Sequence, residues 1–135
     1  MSQENVEIVR QVFDAFSRGD LEAVLDRFAP EQEFHPSGRF LDLDAQRVYR
    51  GREGWIEFWH TFRDPWESLT ISVDRIEAVG DRVLVLGTFH GKGRESGVET
   101  TVQAGWIQTL ENGLVARTIS FTSWEGTLEA AGLSE

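Results

Sequence analysis

Apolar residues in the first part of the chain recur every three or four positions. Val6, Val9, Val12, Phe13 and Phe16 form one stripe, the spacing that brings side chains onto a single helix face. Ser2 is a capping candidate at its start, and Gly19 stands where a helix ends on a left-handed residue. Asp20 then reads as the N-cap of a second helix with Leu21, Val24, Leu25 and Phe28 as its buried face. Pro30 lies just beyond, where a helix cannot continue. The pattern therefore predicts two antiparallel helices joined at Gly19-Asp20. EFHP at 33–36 follows as a brief strand, and residues 37–50 show no clean period and read as a loop. Loops of this length inside a compact domain often form a lid or a pocket rim. A third helix is predicted from about Arg52 to Arg63, with Trp55, Phe58, Trp59 and Phe62 on one strongly aromatic face.

From Leu69 the period changes to two. Leu69, Ile71 and Val73 alternate with polar residues, and Ile76 then falls out of phase, the mark of a β-bulge. Gly80-Asp81 turns the chain into RVLVLGTFHGKG, GKGRESG turns it into VETTVQAGWIQTL, and Asn112-Gly113 leads into LVARTISFTS. Asn-Gly between alternating runs is a strong type I′ hairpin signal. Four long strands in antiparallel meander order result, followed by a short helix over GTLEAAGL closed by Gly132. Helices first and a long antiparallel sheet afterwards predict an α+β domain with the helices over one sheet face. No repeat or linker divides the chain, so residues 1–135 are expected to form one domain.

Composition narrows the partners. The net charge is −10, from 13 basic and 23 acidic side chains. Nucleic acid is excluded as an expected partner because phosphate binding needs a concentrated basic surface, and anionic membranes would be repelled likewise. No apolar run is long enough to span a bilayer and the first residues lack a secretory pattern, so a cytoplasmic location is expected. The chain has no cysteine, which removes disulfides and thiolate metal sites. Five Trp and nine Phe among 135 residues are a heavy aromatic load. Such rings serve a core or an interface, or they line a ligand pocket.

Taken in order, several motifs resemble one known superfamily. FSRGDLEAVLDRFAP, the short strand, YRGREG opening an aromatic helix, the four-stranded meander and the closing LEAAGL are similar to SnoaL-like proteins. These share a cone-shaped fold with nuclear transport factor two, ketosteroid isomerases and polyketide cyclases. The resemblance runs from about Val6 to Leu133. It implies a curved antiparallel sheet wrapped around three N-terminal helices, enclosing an apolar pocket for a small hydrophobic molecule, and a homodimer paired through the outer sheet face. It does not imply one activity, because this fold hosts isomerases, cyclases, dehydratases, epoxide hydrolases and binding modules.

The residues that carry chemistry in those relatives have changed here. At the position of the isomerase aspartate, just before a proline, stands His35; the isomerase tyrosine falls near Val12, and the late-strand acid near Trp106. The acid of polyketide-cyclase-like members, counted from the hairpin glycine Gly113, falls at Ser120. A serine hydroxyl hydrogen-bonds a ligand but is a poor proton acceptor at neutral pH. No Asp-Arg-Asp set of the epoxide hydrolase type is recognisable. Histidine, which exchanges protons near neutral pH, leaves His35 as the candidate general acid or base. Strict alternation would put Glu33 on the same face. Glu33 then lies before the strand, or orients the imidazole, or His35 faces outward.

The resemblance further implies Phe16, Tyr49, Trp55, Trp59, Phe62, Trp106 and Ser120 as pocket residues, with Tyr49 at the mouth. His90, in phase with Leu84 and Leu86, and His60, on the polar side of the third helix, read as structural or surface groups. GKGRESG lacks phosphate-loop spacing, the histidines lack zinc-site spacing, and no G-x-S-x-G elbow occurs. No cofactor and no metal are expected. Three functions remain open: a non-catalytic binder of a small hydrophobic molecule, an isomerase, cyclase or dehydratase using His35, and a dimerising interaction module.

Overall fold

The computed structural model of the chain describes residues 2–36 and 47–133. Two helices, α1 (Ser2–Arg18) and α2 (Leu21–Leu25), precede two short strands, β1 (Phe28–His35) and β2 (Tyr49–Arg50), and a third helix, α3 (Gly51–Arg63). The meander follows as β3 (Trp66–Val79), β4 (Arg82–Gly93), β5 (Glu99–Glu111) and β6 (Leu114–Phe121), and α4 (Trp124–Ala130) closes the chain. The fold is α+β, with one curved, open sheet ordered β2-β1-β6-β5-β4-β3 and the N-terminal helices on its inner face.

The turns behave as their residues predict. Asn112 and Gly113 both take positive φ, 54° and 79°, as a type I′ hairpin requires. The register slips between Val73 and Arg75, just before Ile76 leaves the apolar phase. α1 includes Ser2 itself, and α2 is capped as expected, with the Ala23 N–H donating to Asp20 Oδ1 at 3.1 Å.

Several boundaries differ: β3 starts at Trp66 and not Leu69, and α4 at Trp124 and not Gly126. α2 ends at Leu25, and Phe28 belongs to β1, which starts well before EFHP. The cause is tertiary: β1 runs parallel to β6, with Phe28 opposite Val115 and His35 opposite Ile119, whereas the other pairings among the described residues are antiparallel. Pro30, which has no N–H to give, falls in the irregular stretch of that pairing between Phe28 and Glu33. Residues 37–46 of the predicted loop lie outside the described residues, and its end forms β2, where Tyr49 and Arg50 pair with Phe34 and Glu33. Two residues are too few to display a period.

Each face of the sheet carries a buried cluster of its own. Val83, Val85 and Phe89 point inward and join α1 and α3 in the main core, while Leu84, Leu86 and Ile107 point outward. α4 lies on that outer side, packing Leu128 and Ala131 against them, so the helices do not all cover one face. Its approach depends on Gly105, where a Cβ would stand 1.9 Å from Thr127 Oγ1. The Ser123 side chain accepts the Gly126 N–H at the start of α4, and the Trp124 indole donates to the Gly87 carbonyl at 2.9 Å.

Candidate functional site

Between the N-terminal helices and the inner sheet face lies a cavity of about 320 Å³, at the lower end of the range typical of small-molecule sites. Its helical wall is built from Val12, Phe13 and Phe16 of α1 and Trp55, Phe58 and Phe62 of α3. Helical spacing puts each set on one face, and the rings brace one another. Phe58 lies 5.3 Å from Phe62 in a stacked pair and 4.3 Å from Phe34, while Phe28 meets the Trp55 ring edge-on at 4.8 Å.

The opposite wall comes from β5 and β6, whose alternation aims every second residue inward. Trp106 stands opposite Ser120, and Gln108 opposite Thr118. Trp106 meets Phe13 at 4.9 Å across the cavity edge, and Gly87 leaves room for its ring, since a Cβ there would come within 3.1 Å of it. Exposure grades this wall: Gln108 and Thr118 are each 3% exposed, Trp106 and Ser120 are half-buried, and Gln103 and Thr122 are exposed. The closed end therefore lies at Gln108 and Thr118, and the mouth toward Gln103 and Thr122.

The polar groups that the described residues give the wall are uncharged. Among the described residues the lining contains no Asp, Glu, His, Lys, Arg or Tyr. Gln108 donates from Nε2 to Thr118 Oγ1 at 3.1 Å, and among the described residues its Oε1 has no hydrogen-bond partner; nor has the Trp55 indole N–H. Among the described residues no three His, Asp or Glu side chains gather as a metal site would need.

The SnoaL-like domain pattern matches the chain over residues 9–118, which takes in the second half of α1, all of α2 and α3 and most of the sheet. The chain belongs to the SnoaL-like domain family. No curated protein matches it significantly. Among solved structures, a nuclear transport factor two-like protein of unknown function from Burkholderia pseudomallei K96243 is similar over 98% of both chains, at TM-score 0.80 and 24% identity. TerC, co-crystallised with polyporic acid, matches 96% of this chain and 98% of its own at TM-score 0.79 and 19% identity. A protein of ketosteroid isomerase-like fold from Catenulispora acidiphila DSM 44928, in complex with trimethylamine, matches 95% of this chain and 94% of its own, at TM-score 0.75 and 16% identity. At these identities the likeness establishes the fold.

Within this SnoaL-like frame the candidate residues separate. Phe16, Trp55, Phe62, Trp106 and Ser120 line the cavity, as does Val12. Trp59 does not; it is buried against Phe16 at 5.3 Å, with the Arg63 guanidinium 4.7 Å from its ring. Tyr49 is likewise core and not mouth, because its pairing with Phe34 turns the ring toward Phe58, at 5.5 Å, under Arg47. Phe13, Phe58, Gln108 and Thr118 also line the cavity, beyond the set that the resemblance implies. Strand phase signals two of them, since Gln108 is in phase with Trp106 and Thr118 with Ser120.

His35 stands outside the cavity. Phe34 and Pro36 line it, so alternation turns His35 to the other side, where its side chain is 25% exposed. Glu33 shares that side. Its carboxylate binds His35 Nε2 at 3.0 Å through one oxygen and Arg50 through the other. The hydrogen bond from His35, and then the Arg50 charge, hold the Glu33 carboxyl below the usual value despite partial desolvation. The imidazole is thus oriented by Glu33, but toward an ion cluster and away from the pocket. His90 is exposed and bonded to Ser72 Oγ at 3.1 Å; its phase with Leu84 and Leu86 is real, but that phase is the outer face. His60 is exposed on α3.

Among the described residues no helix is long and apolar enough to cross a membrane.

Proposed function

We propose that this SnoaL-like protein binds a neutral, mostly apolar small organic molecule in its cone cavity and does not transform it. One observation carries the reading: the described cavity wall holds aromatic rings and uncharged polar groups and no titratable side chain. Proton transfer needs a group that can take up and release a proton within hydrogen-bond reach of the ligand, and a charged ligand would be desolvated there without a counter-charge. The catalytic reading of His35 lacks support, since the ring faces its carboxylate partner on the other side of β1. Two proteins of similar fold hold small organic molecules, polyporic acid in one and trimethylamine in the other. A homodimer paired through the outer sheet face belongs to the same reading, motivated by the family resemblance.

Native mass spectrometry of the purified protein, followed by solvent extraction, tests both parts. A co-purifying neutral organic molecule that leaves unchanged after incubation supports the proposal, and the intact mass reads the subunit number. Conversion of that molecule, abolished in His35→Ala, would overturn it in favour of an enzyme.

A further inference from the structure

The closed end of the cavity is chemically different from the rest of its wall. Gln108 and Thr118 face each other across β5 and β6 and are almost completely buried. They spend one hydrogen bond on each other, Nε2 to Oγ1. Among the described residues, the Gln108 carbonyl oxygen then has no donor, and the threonine, having accepted through Oγ1, keeps its own proton to give. A buried polar atom left unpaired is destabilising, and an apolar pair of similar shape would avoid that penalty. A polar pair at the bottom of an aromatic pocket therefore needs a reason.

Resting on the reading of the cavity as a small-molecule site, we infer that Gln108 and Thr118 form a hydroxyl-reading end that fixes the ligand's orientation. A ligand hydroxyl is the simple neutral group that matches both: it donates to Gln108 Oε1 and accepts from the Thr118 hydroxyl. Neighbouring atoms cover the glutamine oxygen, and the soft terminal torsion of a glutamine lets it turn toward a bound group. The aromatic rings of α1 and α3 hold the apolar body, and the hydroxyl enters first, because the wall becomes more exposed from Thr118 through Ser120 to Thr122. The ligand class is a neutral, largely apolar molecule, ring-shaped to suit the aromatic walls, with a terminal hydroxyl.

Three probes of one shape test this by calorimetric titration at pH 7: 2-naphthol, which donates and accepts; 2-methoxynaphthalene, which only accepts; and 2-methylnaphthalene, which does neither. The readout is the ratio of 2-naphthol affinity to 2-methylnaphthalene affinity, which cancels general differences in fold and hydrophobicity. It should fall about tenfold from wild type to Gln108→Leu, the loss expected for a buried hydrogen bond. Thr118→Val gives an independent second reading and should also lower it, and 2-methoxynaphthalene, which can accept from Thr118 but not donate to Gln108, should fall between the other two probes. A ratio unchanged in both variants, or 2-methoxynaphthalene binding as tightly as 2-naphthol, overturns the inference while leaving the cavity reading intact. Failure of all three probes to bind wild type overturns both.

Discussion

Two regions hold most of what this molecule could use for chemistry, and they are built in opposite ways. The cavity has shape and enclosure but, among the described residues, no charge. The Glu33–His35–Arg50 cluster has three ionisable groups in contact but sits on the other side of β1, partly in water. They are separated by one step of strand alternation, since Phe34 and Pro36 serve the first and His35 the second. The difference teaches that a motif position in this family does not by itself carry a role. Enclosure is needed as well as reactivity, and here they are found apart.

The strongest way to break that comparison is to collapse the enclosure. Phe58→Ala removes a ring that is 4% exposed and braced by Phe34 and Phe62, so it should cost about 3–5 kcal/mol in denaturant unfolding and weaken 2-naphthol binding. A small loss with full binding would show that the wall is not cooperative.

Gly105→Ala forces a Cβ against Thr127 and should cost about 1–3 kcal/mol by overpacking. Amide exchange should quicken in α4 while the cavity still takes 2-naphthol. Loss of binding in step with α4 would show that the two sheet faces are coupled.

Ser120→Asp brings charge into the enclosed region. Burial raises a carboxyl's pKa by penalising its charged form. A group whose folded pKa lies above its unfolded value destabilises the fold as pH rises through the carboxylate range. Stability and affinity for a neutral probe should therefore both fall from pH 4 to pH 8, relative to wild type. A pH-independent difference would mean that the position is fully solvated.

The charged cluster should matter least. His35→Ala should cost about 1 kcal/mol or less, as expected of a partly exposed side-chain pair, and leave probe affinity within about twofold. A tenfold loss would reconnect His35 to the cavity. Glu33→Gln should show only a pH signature. Because the folded Glu33 pKa is lowered, its contribution is present above the ordinary carboxylate value and fades as pH falls through the lowered one. The stability gap between wild type and variant should therefore close on acidification, and a constant gap would rule out the ionised pairing as its source.

Much of this architecture is legible in the residues because it is local. The helical stripes, the Asn112-Gly113 hairpin and the slip before Ile76 depend on neighbours a few positions away. The site was legible only in part. Alternation along β5 and β6 groups Gln108 with Trp106 and Thr118 with Ser120, yet it cannot say which group is inward until one member is placed. On β1, alternation allows His35 to face the pocket or the solvent, and only the pairing of Phe34 with Tyr49 and Thr118 resolves it.

By itself the sequence determined the α+β class, the order of the helices and the long strands, the hairpin turns and the aromatic stock from which a pocket could be built, since periodicity and turn chemistry act over short distances. The tertiary structure alone decided that β1 runs parallel to β6, that α4 covers the outer face over Gly105, and that His35 turns away while Gln108 and Thr118 close the cavity. Each of those depends on which residues distant in the chain meet across strands, and no local period encodes that.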